Sequence, residues 1–493
     1  NKYMYLGIDL GTSSIKCLII DDGQKVLNSS SAEFSLSTPQ NGWAEQDPLL
    51  WIQGLTDCLN SISKKTNLKD ILAISFSGQM HGATCLDIDN NIIRPSILWN
   101  DTRSFAECQE MMLKNPNIMD ITGNLAMPGF TAPKILWMKN HEPEYFNRIR
   151  KVLLPKDYIR FYLSGEFYSD MSDASGTYWL NVGERKWSQE LLDLCDLTID
   201  QMSNLCEGTE QTGVVSKKIS EQFGFSSNCK IYGGAGDNAA GAAGLGLFQE
   251  GDGSISLGTS GVIFTPTSKF KKNYQDATHS FCHCFPDTWH LMTVMLSCTS
   301  NINWFSNTFK VSLESFFQSF EKNYKSNITQ QPFYLPYLAG ERTPINDPFI
   351  RGSFSNMGLQ TSMDDLCYSV IEGISFAILD NYLSLEKTNL NLDNLYVIGG
   401  GSQNDSWLEM ISTLIQKKLT LTEESSSMAA LGAARLALVG YNQYPVEEIL
   451  SKPNVIKTIL PNSKNSEELI KRFHLWKKIY NQNKSIAQDI NQS

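Results

Sequence analysis

Tyr3-Met4-Tyr5-Leu6-Gly7-Ile8-Asp9-Leu10-Gly11-Thr12-Ser13-Ser14-Ile15-Lys16-Cys17-Leu18-Ile19-Ile20 is the stretch on which the fold turns. Tyr3–Leu10 reads as a buried strand, Gly11 to Ser14 break it, and Ile15–Ile20 resume the apolar run. Asp21-Asp22-Gly23 is a turn and Lys25–Phe34 a third strand, so the chain opens on an antiparallel meander. Such an opening disfavours a simple dinucleotide-binding βαβ unit. The motif returns far downstream: Leu10-Gly11-Thr12-Ser13 reappears as Leu257-Gly258-Thr259-Ser260, again between two strands, Ser254–Leu257 and Val262–Thr265. A duplicated α/β domain accounts for that echo, with halves expected at residues 1–246 and 247–493.

Composition narrows the classes. The 493 residues carry 41 Lys+Arg against 52 Asp+Glu, a net charge of −11, which argues against a nucleic-acid partner. An anionic ligand stays open, because backbone N–H groups hold phosphate without net positive charge. An apolar share of 41% excludes a disordered or fibrous chain. Eleven cysteines are too dilute for a disulfide framework and read as reduced, buried, small apolar residues. Cys282-His283-Cys284 is a poor zinc site, since adjacent strand residues point to opposite faces; it reads as ordinary strand. The N-terminus enters a strand pattern at once, with no leader-like apolar stretch, and no twenty-residue apolar run follows. A cytoplasmic protein without membrane contact is expected.

Asp47-Pro48 starts a helix over Leu49–Ile62, and Ile71–Ser77 is a strand running into Gly78-Gln79-Met80-His81-Gly82. Lys230–Gly234 leads through Ala235-Gly236-Asp237-Asn238 into a small-residue helix, Ala239–Leu247. Leu395–Ile398 ends at Gly399-Gly400-Gly401-Ser402, followed by helices over Asp405–Lys418 and Met428–Val439 and an amphipathic tail helix from about Ser466.

Three Gly-rich turns supply backbone N–H groups without bulk, which suits the close approach of a polyphosphate held between two halves. Asp9 stands just before the first of them, where a carboxylate can hold Mg²⁺ or cap the turn. Asp237 joins a Gly-rich strand end to a helix, as a catalytic carboxylate or as a helix N-cap. Asp101 and Asp347 are further carboxylates in suggestive positions. The P-loop, the Gly-x-Gly-x-x-Gly fingerprint, the Gly-x-Ser-x-Gly elbow and the His-Glu-x-x-His pair are absent.

Ordered motifs carry a resemblance. Gly7–Lys16, Ser77–Thr84, Leu98-Trp99-Asn100-Asp101-Thr102-Arg103, Met127–Lys134, Leu154–Tyr158, Ser169–Thr177, Gly234–Gly241, Leu257–Gly261, Tyr337–Pro344 and Gly399–Ser402 resemble the FGGY family of carbohydrate kinases over nearly the whole chain. Gln79-Met80-His81-Gly82 is similar to the branch acting on xylulose. The resemblance implies two actin-like ATPase (ribonuclease H-like) domains closing on ATP, Mg²⁺ and a small-molecule sugar, with the ATP γ-phosphate passing to the 5-hydroxyl of D-xylulose. It implies Asp237 as the base, Asp9 at the metal, and Met80, His81 and Asn238 on the sugar, His81 as a hydrogen-bond donor. Gly11, Thr12, Gly258, Thr259 and Ser260 would line the phosphates, and Gly400, Gly401, Asn404 and Trp304 the adenosine. Asp101 and Arg103 either touch the sugar or brace their loop. Two departures fall on the nucleotide half: Ser297-Cys298-Thr299-Ser300-Asn301-Ile302-Asn303 replaces the usual small residues, and Met428 stands where a Gly is common. Another ketose or polyol as substrate, a non-catalytic nucleotide switch on the same fold, and a homodimer remain open.

Overall fold

The computed structural model describes residues 3–423 and 427–492. The first sheet is built on β1 (Met4–Leu10), β2 (Ser14–Asp21), β3 (Val26–Glu33) and β4 (Ile71–Gly78), joined by β5 (Gln211–Val214), β6 (Lys230–Tyr232) and the short β7 (Ala235–Gly236). Its order is β5-β6-β4-β1-β2-β3, with β7 beside β4. β1, β2 and β3 form the expected antiparallel meander, whereas β4 runs parallel to β1, and β6 and β7 run parallel to β4.

The second sheet repeats this plan with β8 (Asp252–Leu257), β9 (Gly261–Thr267), β10 (His279–Cys282), β11 (Trp289–Met295), β12 (Asn394–Ile398), β13 (Leu419–Thr422) and β14 (Val455–Ile459). Its order is β10-β11-β9-β8-β12-β13-β14. β8 takes the place of β1: antiparallel to β9 on one side, parallel to β12 on the other. The duplication read from four residues is thus a duplication of sheet topology.

Helix α1 (Pro48–Ser63) begins at Asp47, whose side chain accepts the Leu49 N–H at 3.0 Å, and buries Trp51, Leu55, Cys58, Leu59 and Ile62. Those residues share one apolar core with Leu6, Ile8 and Leu10 of β1. Side chains alternate along a strand, so Tyr5, Gly7 and Asp9 occupy the opposite face. On that face lies α7 (Met428–Asn442), whose Ala430, Ala434, Ala437 and Leu438 pack with Tyr5, Leu18, Ile20 and Ala73. The approach requires Gly7, because a Cβ there would stand 2.3 Å from the Ala430 carbonyl oxygen. α7 also crosses α3 (Asp237–Leu245), at Gly432 against Ala240. Alanine and glycine on α7 therefore let a helix from late in the chain reach the sheet from its start, and leave Asp9 beyond the end of that contact, toward the gap between the sheets.

The second core gathers around α5 (Met363–Glu386), with α4 (Thr299–Phe309), α6 (Asp405–Ile415) and α8 (Ser463–Gln492). The tail helix is part of that core: Arg472 pairs with buried Glu372 at 2.7 Å, and Trp476 Nε1 donates to the Tyr334 carbonyl at 2.7 Å. All eleven cysteines are free and buried, as expected. β10 stops at Cys282, shorter than the strand expected through Cys284, because His283 turns inward. Its Nε2 bonds the Leu247 carbonyl at 2.9 Å and its Nδ1 accepts the Cys284 N–H at 2.7 Å. No helix among the described residues is long and apolar enough to cross a membrane.

Candidate functional site

Parallel strands place their carboxyl ends together, and ligand sites form just beyond them. β1, β4 and β7 do so here: Asp9 pairs in register with Ser77, and Ser77 with Ala235, one residue before Gly236 and Asp237. Gly236 is the N-cap of α3 and Asp237 its first residue, so the N-cap role weighed for Asp237 falls to the glycine. The Asp237 carboxylate opens onto the cleft, and its Oδ1 accepts the Asn238 N–H at 2.9 Å. The surrounding walls, then the Asp9 charge, push its pKa up to about 7. Burial likewise raises Asp9, partly offset by Lys16, its cross-strand partner.

Asp237 and Asn238 line a cavity of about 310 Å³ with Met80, His81, Trp99, Met127, Gly129 and Phe130 from the first half. The second half supplies the opposite wall: Ser260, Val262, His279, Phe281, Met292, Val294 and Arg342. Every residue expected at the sugar therefore borders one space, and both halves enclose it.

His81 has a left-handed backbone, φ 76°, and its Nδ1 lies 2.7 Å from the Gly176 carbonyl oxygen. A carbonyl only accepts, so Nδ1 carries the proton. Burial holds the ring neutral, its pKa lowered to about 3, with Lys134 and Arg342 adding to the shift. The remaining nitrogen, Nε2, is then a hydrogen-bond acceptor, which reverses the donor role expected for it. Gly176 makes room for this: a Cβ there would stand 2.6 Å from the imidazole.

Behind Asp237 lies a buried ion cluster. Lys156 Nζ meets Asp157 at 3.0 Å, Asp170 at 2.5 Å and Asp173 at 2.6 Å, and Arg160 pairs with Asp157 at 2.9 Å. Three carboxylates thus face two cations. Burial drives Asp173 well above the carboxylate range, so its protonation balances the cluster. The three carboxylates are close enough for a metal, but Lys156 already fills their centre. The cluster reaches the site through backbone: Ser172 Oγ donates to Asp170 at 2.6 Å and accepts the Gly236 N–H at 3.1 Å, while Arg160 bonds the Gly233 carbonyl.

The three Gly-rich turns lie on both sides of the gap. Thr12 Oγ1 accepts from Trp99 Nε1 at 2.9 Å, and its carbonyl from Gln46 at 2.6 Å. The Gly258-Thr259-Ser260 turn sits on the start of α4, its Gly258 and Thr259 carbonyls accepting the Thr299 and Cys298 N–H groups. Gly399, φ 96°, abuts Leu257 at the end of β8, which brings Gly400 and Gly401 beside that turn. Asn404 is the N-cap of α6, accepting the Trp407 N–H at 2.9 Å. Trp304 packs among Phe305, Phe309 and Tyr334 at the edge of the second core, away from the cavity that holds Asp237.

Asp101 and Arg103 brace. Asp101 is fully buried and accepts the Ala44 N–H at 2.7 Å and Arg103 NH2 at 2.7 Å. The guanidinium is clamped 3.7 Å over Trp43 and pairs with Glu45. Asp347 likewise holds its own loop, accepting the Phe349 and Ile350 N–H groups and the Tyr480 hydroxyl. His279, Phe281, Phe130 and Arg342 were missed by motif reading as site residues. Phe130 and Arg342 lie inside the Met127–Lys134 and Tyr337–Pro344 motifs, whereas no local signal marks His279 and Phe281.

The N-terminal domain of the FGGY family of carbohydrate kinases matches residues 4–244, and its C-terminal domain residues 253–441. A xylulose kinase of Escherichia coli strain K12 is 38% identical over 481 residues, covering 97% of this chain and 99% of that protein. A crystal structure described as a xyloylose kinase from Brucella ovis superposes with a TM-score of 0.94 at 40% identity, over 98% of this chain and all of that one. A gluconate kinase from Lactobacillus acidophilus superposes at 0.91 with 26% identity, over 98% of both chains.

Proposed function

The chain belongs to the FGGY family of carbohydrate kinases, and from that premise we propose that it transfers the γ-phosphate of ATP to the 5-hydroxyl of D-xylulose, as an ATP-dependent sugar kinase. The observation that carries this reading is the position of Asp237 in a cavity that the two halves enclose, one strand away from Asp9.

Phosphoryl transfer needs an oriented alcohol, an in-line phosphate and neutralised charge rather than covalent chemistry by the protein. Asp237 takes the proton of the 5-hydroxyl at its carboxylate, and a base poised near the working pH suits that step. His81 Nε2 accepts from a sugar hydroxyl, and Met80, Phe130 and Phe281 exclude water around it. The Gly11-Thr12 and Gly258-Thr259-Ser260 turns offer backbone N–H groups to the β- and γ-phosphates. Gly400, Gly401 and Asn404, beside the second turn, border the adenosine.

For Mg²⁺ the donor fits: Asp9 presents hard carboxylate oxygens at the end of β1, beside the first Gly-rich turn, and Mg²⁺ takes one or two carboxylates plus substrate phosphates. When bound there, the ion would offset charge on the transferring phosphate. A cytoplasmic location accords with eleven free cysteines, since reducing compartments keep thiols reduced.

Release of ADP, coupled to a spectroscopic readout, is measured with D-xylulose, D-ribulose, D-gluconate and glycerol, with and without Mg²⁺. D-Xylulose with Mg²⁺ is expected to give the highest kcat/KM. Faster turnover of another sugar moves the substrate, and ADP release indifferent to every sugar removes the kinase reading.

A further inference from the structure

The cavity that holds Asp237 has a second polar end. His279, the first residue of β10, and Arg342, in the Tyr337–Pro344 turn, both border the cavity and both belong to the second half. Arg342 NH1 lies 3.3 Å from His279 Nε2. A guanidinium only donates, so Nε2 is the accepting lone pair of a neutral ring and the proton sits on Nδ1. Burial first, then the Arg342 charge, keeps that ring neutral. Its Nδ1–H finds no partner among the described residues, although the residue is only 3% exposed.

Arg342 has no ion pair among the described residues. The adjacent Glu341 is turned away: its Oε1 accepts the Leu296 and Arg342 backbone N–H groups at 2.9 and 3.0 Å. Burial pushes Glu341 up to about 8, so it brings little negative charge to its neighbour at neutral pH. A guanidinium keeps its charge when buried. The wall of the cavity thus carries an orphaned donor and an uncompensated cation side by side, an arrangement an acceptor oxygen satisfies.

Asp237 belongs to the wall from the first half and His279 and Arg342 to the opposite wall from the second. With its 5-hydroxyl at Asp237, an open-chain ketopentose presents its C2 carbonyl toward the other end. That oxygen accepts from both groups and brings no proton, whereas an alcohol at C2 also accepts but has to direct its own proton away from two donors. Resting on the sugar-kinase reading, we propose that His279 and Arg342 form the subsite for the ketone oxygen of an open-chain ketose and set the preference for ketoses over the matching polyols.

The test compares kcat and KM for D-xylulose, for the two pentitols formed by reducing its C2 carbonyl, and for ATP, in the wild type and in His279→Phe, His279→Asn, Arg342→Met and Arg342→Lys. His279→Phe keeps a ring against Phe281 and Phe130 and removes the donor; with Arg342→Met it is expected to lower kcat/KM for D-xylulose by about 10- to 100-fold, mostly through KM, the scale of a lost charge-assisted hydrogen bond. The pentitol values fall less than the D-xylulose value, so the ketose-to-pentitol ratio drops, and the KM for ATP stays as in the wild type. His279→Asn, which can set an amide N–H where Nδ1–H stands, and Arg342→Lys recover part of the loss. Failure of the wild type to turn over D-xylulose overturns the kinase reading itself. An active wild type whose folded variants keep the ketose-to-pentitol ratio, or lose ketose, pentitol and ATP alike, overturns the subsite.

Discussion

Asp9 and Asp237 stand at the carboxyl ends of β1 and β7, with β4 between them, and the charge of Asp9 helps hold the Asp237 carboxyl near neutrality, at about 7. Two carboxylates from segments more than two hundred residues apart thus titrate as neighbours, and that proximity makes the first prediction quantitative.

A proton-accepting Asp237 must be ionised. With its pKa raised to about 7, it is protonated and idle below that pH and competent above it, so kcat/KM for the sugar should rise through a midpoint near 7. Removing the neighbouring negative charge in Asp9→Asn favours ionisation of Asp237 and moves the midpoint of the residual activity to lower pH. Asp237→Asn is expected to cost about 100- to 10,000-fold in kcat, the range for a lost general base. Initial rates from pH 5 to 9 check all three, and a midpoint unmoved by Asp9→Asn counts against the coupling.

Gly176→Ala adds a methyl group 2.6 Å from the His81 imidazole. The ring must shift and its bond to the Gly176 carbonyl is lost. KM for the sugar should rise by about 10- to 100-fold, as small misplacements in a site do, with KM for ATP unchanged. Steady-state kinetics in both substrates read this directly; parallel changes in the two constants would place His81 elsewhere in the reaction.

Ser172→Ala strands the buried Gly236 N–H and releases Asp170, at a cost of about 1–3 kcal/mol for the unsatisfied donor. Gly236 immediately precedes Asp237, so kcat should fall along with the melting temperature. Thermal melts and kcat measured on one preparation test this, and a stable variant with wild-type kcat would separate the ion cluster from catalysis.

Lys156→Met leaves three buried carboxyl groups, of which Asp173 is already neutral, facing Arg160 alone. Breaking a buried ion pair on one side costs about 3–5 kcal/mol. The sign with pH is fixed: the stranded carboxylates repel while ionised and are relieved by protonation, so the deficit should narrow as pH falls. Melting curves at pH 5 and pH 8 check it; a deficit that widens in acid would mean that Lys156 does not serve to neutralise these carboxylates.

Local signals read well. The meander Met4–Glu33, the helix capped by Asp47 and the repeated Gly-Thr-Ser turn depend on contacts within a few residues, and their observed bounds differ from the expected ones by one or two positions. Met80, His81, Asp237 and Asn238 stood out as candidates because each follows a strand end in a Gly-rich segment, and the structure gathers these candidates around one cavity. Trp304, half-buried, packs with Phe305, Phe309 and Tyr334, a set of neighbours that no local pattern in the sequence announces. Nor could a motif show that Asp101 and Arg103 turn inward to Ala44, Glu45 and Trp43.

Sequence alone determined the two-fold repetition of the sheet, the turns and the carboxylates, since strand alternation, capping and glycine turns are short-range physics. Tertiary structure decided which nitrogen of His81 holds the proton, how far Asp237 is shifted, and that His279 and Arg342 wall the sugar cavity. Those properties come from desolvation and from charges brought together across both halves, and no local pattern along the chain encodes which distant groups will share a space that excludes water.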